Sequence, residues 1–273
     1  MHIRQAAVSG MFYPGQAQEL DALLRQTLDA VPAQNVGTGF PKAIIVPHAG
    51  YIYSGLTAAF AYAAIQSEKI SRVVLFGPAH RVAFHGIALP DADVFATPLG
   101  NVNLDQPLMQ QVLGLPQVML NRAAHAQEHA LEVQLPFLQA VLDEFTLIPL
   151  CVGMTDAESV AEVMRALWGG EETLVVVSSD LSHFHPYAEA RAMDLKSIDI
   201  LLATQRGLSH DQACGATAIN ALQSLTGEMG LRPHLLDYRN SGDTAGDREQ
   251  VVGYASLAYS EHRSAHGRFG EKR

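Results

Sequence analysis

Lys42-Ala43-Ile44-Ile45-Val46-Pro47-His48-Ala49-Gly50 runs a short apolar stretch straight into a histidine and a glycine. The same arrangement recurs twice. Arg72-Val73-Val74-Leu75-Phe76 leads into Gly77-Pro78-Ala79-His80, and Thr173-Leu174-Val175-Val176-Val177 leads into Ser178-Ser179-Asp180-Leu181-Ser182-His183. Apolar, β-branched runs of this length without polar alternation predict strands buried on both faces. Further strands are expected at 84–89 and 145–152. Helical spacing marks 57–65, 128–143, 157–167, 188–204 and 210–225. Pro136 inside the 128–143 pattern should kink that helix or restart it. Strands alternating with helices predict the α/β class: a single domain with a mostly parallel central sheet and helices on both faces. The last two strands, 235–238 and 251–259, follow each other without a clear helix between them, so antiparallel pairing is expected there. The domain is expected over residues 1–260, with a polar loop at 34–39 and a charged, flexible tail at 261–273.

Composition narrows the function classes. Lys and Arg number 18 against 28 Asp and Glu, a formal charge of −10 that argues against nucleic acid or an anionic membrane as partner. Apolar stretches such as 58–65 are less than half of a ~20-residue membrane span. The opening Met1-His2-Ile3-Arg4-Gln5 lacks the features of a signal peptide, and two cysteines make no disulfide framework, so a soluble cytoplasmic protein is expected. No G-x-G-x-x-G and no P-loop occurs, so no nucleotide cofactor is expected.

The chemistry gathers where the strands end. Each of the three motifs puts a histidine just past the carboxyl end of a strand, the edge at which open α/β sheets bind ligands. If neighbouring strands carry them, His48, His80 and His183 converge on one crevice, with Gly50 and Gly77 easing the turns. Imidazole is the commonest metal ligand, so His48 and His80 read as ligands and His183 as a third ligand or an acid/base group. Asp180 either orients an imidazole or caps a helix. Cys214 is either a ligand or a small buried apolar residue, and Cys151 is core. His125-Ala126-Gln127-Glu128-His129 matches the H-x-x-E-H pattern of zinc peptidases, which requires one helix through both histidines. Otherwise Glu128, His129 and Glu132 form a polar helix end facing the crevice or solvent. Tyr51 and Tyr53 line a pocket or pack in a turn. Ser178, Ser179, His183 and Asp180 offer hydrolase chemistry, but no G-x-S-x-G elbow accompanies them.

Several motifs in fixed order carry a family resemblance: Arg4-Gln5-Ala6-Ala7-Val8-Ser9-Gly10-Met11-Phe12-Tyr13-Pro14, the stretch from Pro47 to Gly55, the run ending at His80, and Thr97-Pro98-Leu99-Gly100. Glu128-His129-Ala130-Leu131-Glu132, Gln134-Leu135-Pro136-Phe137, the serine-rich run ending at His183, and Cys214-Gly215 complete the set. The chain resembles the Memo family, whose bacterial and archaeal members are called AmmeMemoRadiSam system protein B. The resemblance implies a fold similar to class III extradiol dioxygenases, which use nonheme Fe(II). It implies metal ligation by His48, His80 and Cys214, a second-sphere acid/base role for His183, and Asp180 and His129 in the same pocket. With Tyr51, Tyr53, Glu128 and Glu132 as pocket residues, this is the expected site. Where the dioxygenases have a carboxylate ligand, this chain has a softer thiol, so Fe(II) or copper is expected and zinc is possible. The resemblance also implies a functional link to radical SAM and AMMECR1-like proteins, and an unidentified small-molecule or peptide ligand. A redox metalloenzyme is the leading expectation. A non-catalytic ligand- or peptide-binding module comes second, and a zinc-dependent hydrolase third.

Overall fold

The computed structural model describes residues 1–32, 41–65 and 68–261. The expected loop at 34–39 lies outside them. So does the expected tail, apart from Glu261, which ends the last strand.

In chain order the elements are β1 (Ile3–Arg4), α1 (Ala17–Asp29), β2 (Pro41–Val46), α2 (Tyr51–Tyr62), β3 (Arg72–Pro78), β4 (Ile87–Leu89), β5 (Val94–Thr97) and β6 (Gly100–Asn103). Then come α3 (Gln106–Val112), β7 (Val118–Leu120), α4 (Arg122–Ala126), a 3-10 turn at Glu132–Gln134, α5 (Leu135–Val141), β8 (Thr146–Val152) and α6 (Ala157–Ala166). The chain closes with β9 (Thr173–Ser178), β10 (His183–His185), α7 (Tyr187–Leu202), α8 (Ala216–Leu225), β11 (Leu231–Asn240) and β12 (Val251–Glu261).

The main sheet runs β10-β12-β2-β9-β3-β8-β4-β7, with β11 added on β12. Its centre, β2-β9-β3-β8, is parallel, and nearly every residue there is buried, as strands covered on both faces must be. Helices α1, α2 and α5 pack together as one layer, and α6 packs on α8 as another. The α/β reading holds; the sheet is mixed, parallel at its centre with antiparallel pairings on either side. β12 is antiparallel to β2, β10 and β11, and β4 is antiparallel to β8. The reason is connection length. A parallel neighbour needs a crossover of about a dozen residues, and neither the β3–β4 link nor the β11–β12 link contains a crossover helix. A small second sheet, β1-β5-β6, lies apart.

Three helical boundaries differ from expectation. α2 begins at Tyr51, so the Tyr51–Ser54 stretch is helix rather than turn. Gly50, its N-cap, has no side chain to offer, and the Phe12 carbonyl accepts the Tyr51 N–H at 2.7 Å instead. The pattern at 128–143 becomes helical only from the 3-10 turn at Glu132, and α5 restarts with Pro136 in its first turn, where a proline loses no hydrogen bond. α8 starts at Ala216, leaving Cys214 just before the helix. Gly50 and Gly77 take ordinary φ values. Gly77 lies inside β3, where a side chain would press on Leu131.

Candidate metal centre

β2, β9 and β3 are successive strands, so the three histidine motifs leave one edge of the sheet side by side. His48 and His80 meet there, with ring centroids 5.1 Å apart. The third imidazole in contact is His129, 5.4 Å from His48 and 4.7 Å from His80. His183 is half-buried on β10, and its ring meets that of Phe184 edge-on. Cys214 completes the cluster. Its Sγ lies 3.3 Å from His48 Nε2, and the donor atoms of His48, His80 and Cys214 all fall within 4.8 Å of one another.

Hydrogen bonding fixes which nitrogen each imidazole presents. Gln134 Nε2 donates to the Pro47 carbonyl at 2.9 Å and to Ser178 Oγ at 2.8 Å, while its Oε1 accepts from Tyr62. A flipped amide would set two carbonyl oxygens face to face, so this orientation stands. Ser178 Oγ gives its one proton to the Ala130 carbonyl at 2.7 Å. It can therefore only accept from His48 Nδ1, 2.9 Å away. His48 carries its proton on Nδ1 and turns the Nε2 lone pair toward Cys214. His80 reaches the same state by another route. Glu128 Oε1 lies 2.9 Å from His80 Nδ1, and Glu128 Oε2 accepts the His80 backbone N–H. Burial alone would raise the Glu128 carboxyl, but the hydrogen bonds from His80 and Ala130 outweigh it and hold it at about 2. A charged carboxylate accepts, so His80 Nδ1 donates, and in the neutral ring the lone pair is then on Nε2. This carboxylate–histidine arrangement is the usual outer support of a metal ligand.

Burial lowers His48 well below the ordinary imidazole value, with the neighbouring His80 adding to it. Burial and His48 together lower His129 to about 4. Both are neutral near pH 7, the form that ligates. Burial, then Asp180, pushes the Cys214 thiol up to about 12, so the thiolate needs a cation beside it. Two imidazole nitrogens and a sulfur converging on one point fit a thiophilic transition metal. Tetrahedral ligation with metal–N near 2.0 Å and metal–S near 2.3 Å asks for an N···S spacing of about 3.6 Å, a small step from the 3.3 Å present.

His80, Glu128 and His129 make a second compact donor group. Its carboxylate already accepts from the His80 ring, the His80 backbone and the Ala130 backbone. It therefore serves as support for the first group.

Asp180 caps no helix. Burial raises its carboxyl pKa, and Oδ1 accepts the His48 backbone N–H at 2.7 Å. Its own backbone N–H points at Cys214 Sγ at 3.2 Å, and its carbonyl accepts the Cys214 N–H. Gly215 makes this approach possible, because a Cβ there would come within 2.7 Å of the Ser179 side chain.

The remaining expected residues are placed differently. Glu132 does not face the crevice. Fully buried, it pairs with Arg4 and accepts from Ala7 N at 2.7 Å, Val8 N at 2.9 Å and Tyr13 Oη at 2.6 Å, pinning the N-terminal segment across the fold. That segment lays Phe12 against His129, with centroids 4.9 Å apart. Tyr51 donates its hydroxyl proton to the Val133 carbonyl and is scaffold; Tyr53 is half-buried in the first turn of α2. The peptidase geometry is absent. α4 stops at Ala126, so His125 and His129 share no helix, and His125 Nε2 donates to the Ala88 carbonyl at 2.8 Å. Ser178 has no proton left for a nucleophile's role. Cys151 is core. A hollow of about 770 Å³ between Asp21, Ser71, Asp143 and Thr146 opens at the amino ends of β3 and β8, away from the cluster.

A family model described as Memo-like protein matches residues 4–258. The chain belongs to the Memo family. A MEMO1 family protein from Aquifex aeolicus is 36% identical, covering 95% of this chain and all of the relative. Others from Methanosarcina mazei and Archaeoglobus fulgidus are 33% and 34% identical, each covering 94% of this chain and 99% of the relative. An uncharacterized protein from Escherichia coli K12 superposes with a TM-score of 0.47 at 10% identity over 78% of this chain and 98% of that one, too distant to argue from. No helix among the described residues is long and apolar enough to cross a membrane.

Proposed function

We propose that this Memo-family protein is a metal-dependent oxidoreductase, dioxygenase-like in its use of an open metal site, with the ion held by His48, His80 and Cys214. Fe(II) or copper is the favoured metal and zinc the third choice, because the donor set mixes imidazole with a soft sulfur. The observation that carries the reading is a pair of imidazoles whose Nδ1 atoms are tied to Ser178 and Glu128, with donor atoms of His48, His80 and Cys214 all within 4.8 Å of one another. Bound there, the ion would supply a Lewis-acidic, redox-active centre with positions open to substrate.

The chain's own residues do the rest. A ring nitrogen of His183 gives or takes a proton at the substrate, a contribution of ~10²–10⁴-fold. Asp180 holds His48 and Cys214 in register. Phe12 and the N-terminal segment close the His129 side against water. The test is metal content and visible spectrum of protein purified without oxygen. About one iron or copper per chain, with a thiolate band lost in Cys214→Ser, is the expected result. Protein that stays empty after reconstitution with iron, copper and zinc overturns the reading. His183→Ala should keep its metal; if the metal goes with it, His183 is a ligand and its assigned role is wrong.

A further inference from the structure

Phe184 combines three features that are each unfavourable alone. Its backbone sits at φ +61, a left-handed conformation that favours glycine. It is the extra residue of a β-bulge: His183 and His185 pair with Val252 and Val251, adjacent residues of β12, and Phe184 has no partner. Its side chain is 67% exposed. A bulge with a left-handed first residue normally carries glycine, and bulges beside active sites re-aim side chains. Strain of this kind persists where the surroundings impose it, and it concentrates at functional positions.

The location gives the strain a use. Phe184 follows His183 directly, and the two rings meet edge-on with centroids 5.7 Å apart. Other exposed apolar side chains stand on segments that carry the rest of the site. Met11 precedes Phe12, whose ring touches His129, and Ile52 lies in the first turn of α2, four residues after His48. Exposed apolar side chains thus stand next in sequence to residues of the cluster.

We propose that Phe184 is the substrate-facing lip of this site, and that the ligand carries an apolar body behind a polar, metal-binding head. The inference rests on the metal reading above and adds the class of molecule the site accepts. The bulge aims the phenyl ring beside His183, so the ligand's apolar part packs on Phe184 while its head reaches His48, His80 and Cys214.

Hydroxamic acids test it, because the head can be kept while the body grows. Calorimetry on the metal-loaded protein compares acetohydroxamate with benzohydroxamate. Wild type should bind the phenyl compound about tenfold more tightly, as expected for roughly 60 Å² of apolar surface removed from water. Phe184→Gly should remove most of that gain while melting at or above the wild-type temperature, because glycine adopts the left-handed backbone freely. An equal gain in Phe184→Gly, or none in wild type, overturns the proposal. If wild type binds neither compound and retains no metal, the metal reading has failed separately. The neutral apolar dye Nile red then decides the lip on metal-free protein: binding lost in Phe184→Gly supports it, and equal binding in both proteins refutes it.

Discussion

Ser178→Ala tests the proton accounting at the heart of the site. Ser178 Oγ accepts from His48 Nδ1 and Gln134 Nε2 and donates to the Ala130 carbonyl, all in the fully buried interior. Alanine leaves two donors and one acceptor without partners. At about 1–3 kcal/mol for each unsatisfied buried group, with some relaxation, the loss should be of order 3 kcal/mol. Unfolding entropy of about 2.1 cal/mol/K per residue over 273 residues is roughly 0.6 kcal/mol/K, so the melting point should fall by about 5 °C.

The functional effect is separate from the stability effect. Without the Ser178 acceptor nothing holds the His48 proton on Nδ1, and the Nε2 lone pair is no longer guaranteed. Loss of such an outer partner typically weakens metal binding 10–100-fold, about 1.4–2.7 kcal/mol. Two assays check this. Long-range ¹⁵N–¹H spectra of the metal-free protein report the tautomer of each imidazole, and His48 should show its proton on Nδ1 in wild type. Competition with a coloured chelator gives the metal affinity. The reasoning fails if wild-type His48 is protonated on Nε2. It also fails if Ser178→Ala binds metal as wild type does while Cys214→Ser does not.

Other consequences are as direct. Glu132→Leu strands the Ala7 and Val8 N–H groups, the Tyr13 hydroxyl and the Arg4 cation, so it should destabilise by about 5 kcal/mol; a loss below about 1 kcal/mol in thermal melts would remove Glu132 as the anchor. Burial, reinforced by Arg4, lowers His125 to about 4 from an unfolded value near 6.5, so the unfolded chain binds more protons between those pH values. Stability should therefore drop by about 3 kcal/mol as pH falls from 6.5 through 4, and denaturant titrations should show a flatter acid limb for His125→Gln, which keeps a donor for the Ala88 carbonyl. Gly253→Ala places a Cβ on the Asp194 carboxylate, which holds Ser182 N and the Tyr238 hydroxyl, so melting should fall, and the double variant with Asp194→Ala should be milder than the two losses summed by about 1–2 kcal/mol.

The strands that carry the site were legible because being buried on both faces leaves a continuous apolar run, and their order put His48, His80 and Asp180 together. Cys214 became legible only through the family's motifs, since a lone cysteine before a helix has no signal of its own. The role of Glu132 was hidden for a physical reason. Its partners, Arg4 to Tyr13, lie some 120 residues away, and no local pattern distinguishes a carboxylate that faces a pocket from one that grips a distant backbone. The roles of Gln134 and Ser178 were likewise hidden, because they rest on hydrogen bonds to residues far away in sequence. Leucine spacing from Leu131 onward overran the true helix start, since a 3-10 turn keeps nearly the same apolar face. β1, β5, β6, β7 and β10 were missed because strands of two to four residues are too short to show alternation.

The three motifs converge because the middle strand contributes the connector. β9 lies between β2 and β3, so the chain leaving it passes between His48 and His80. Asp180 sits on that path and reaches the other segments with both backbone and side chain. Its carboxylate takes the His48 N–H, its N–H meets the Cys214 sulfur, and its carbonyl takes the Cys214 N–H. Cys214 lies 166 residues from His48, yet one residue fixes the spacing of both. Glu128 does the same for His80 from the other side, binding its ring and its backbone together. Asp180 thus holds both His48 and Cys214, and Glu128 holds His80, so each candidate ligand is positioned by a carboxylate residue on another segment. Such a site is preorganised before anything binds, which is what an ion with strict donor requirements demands.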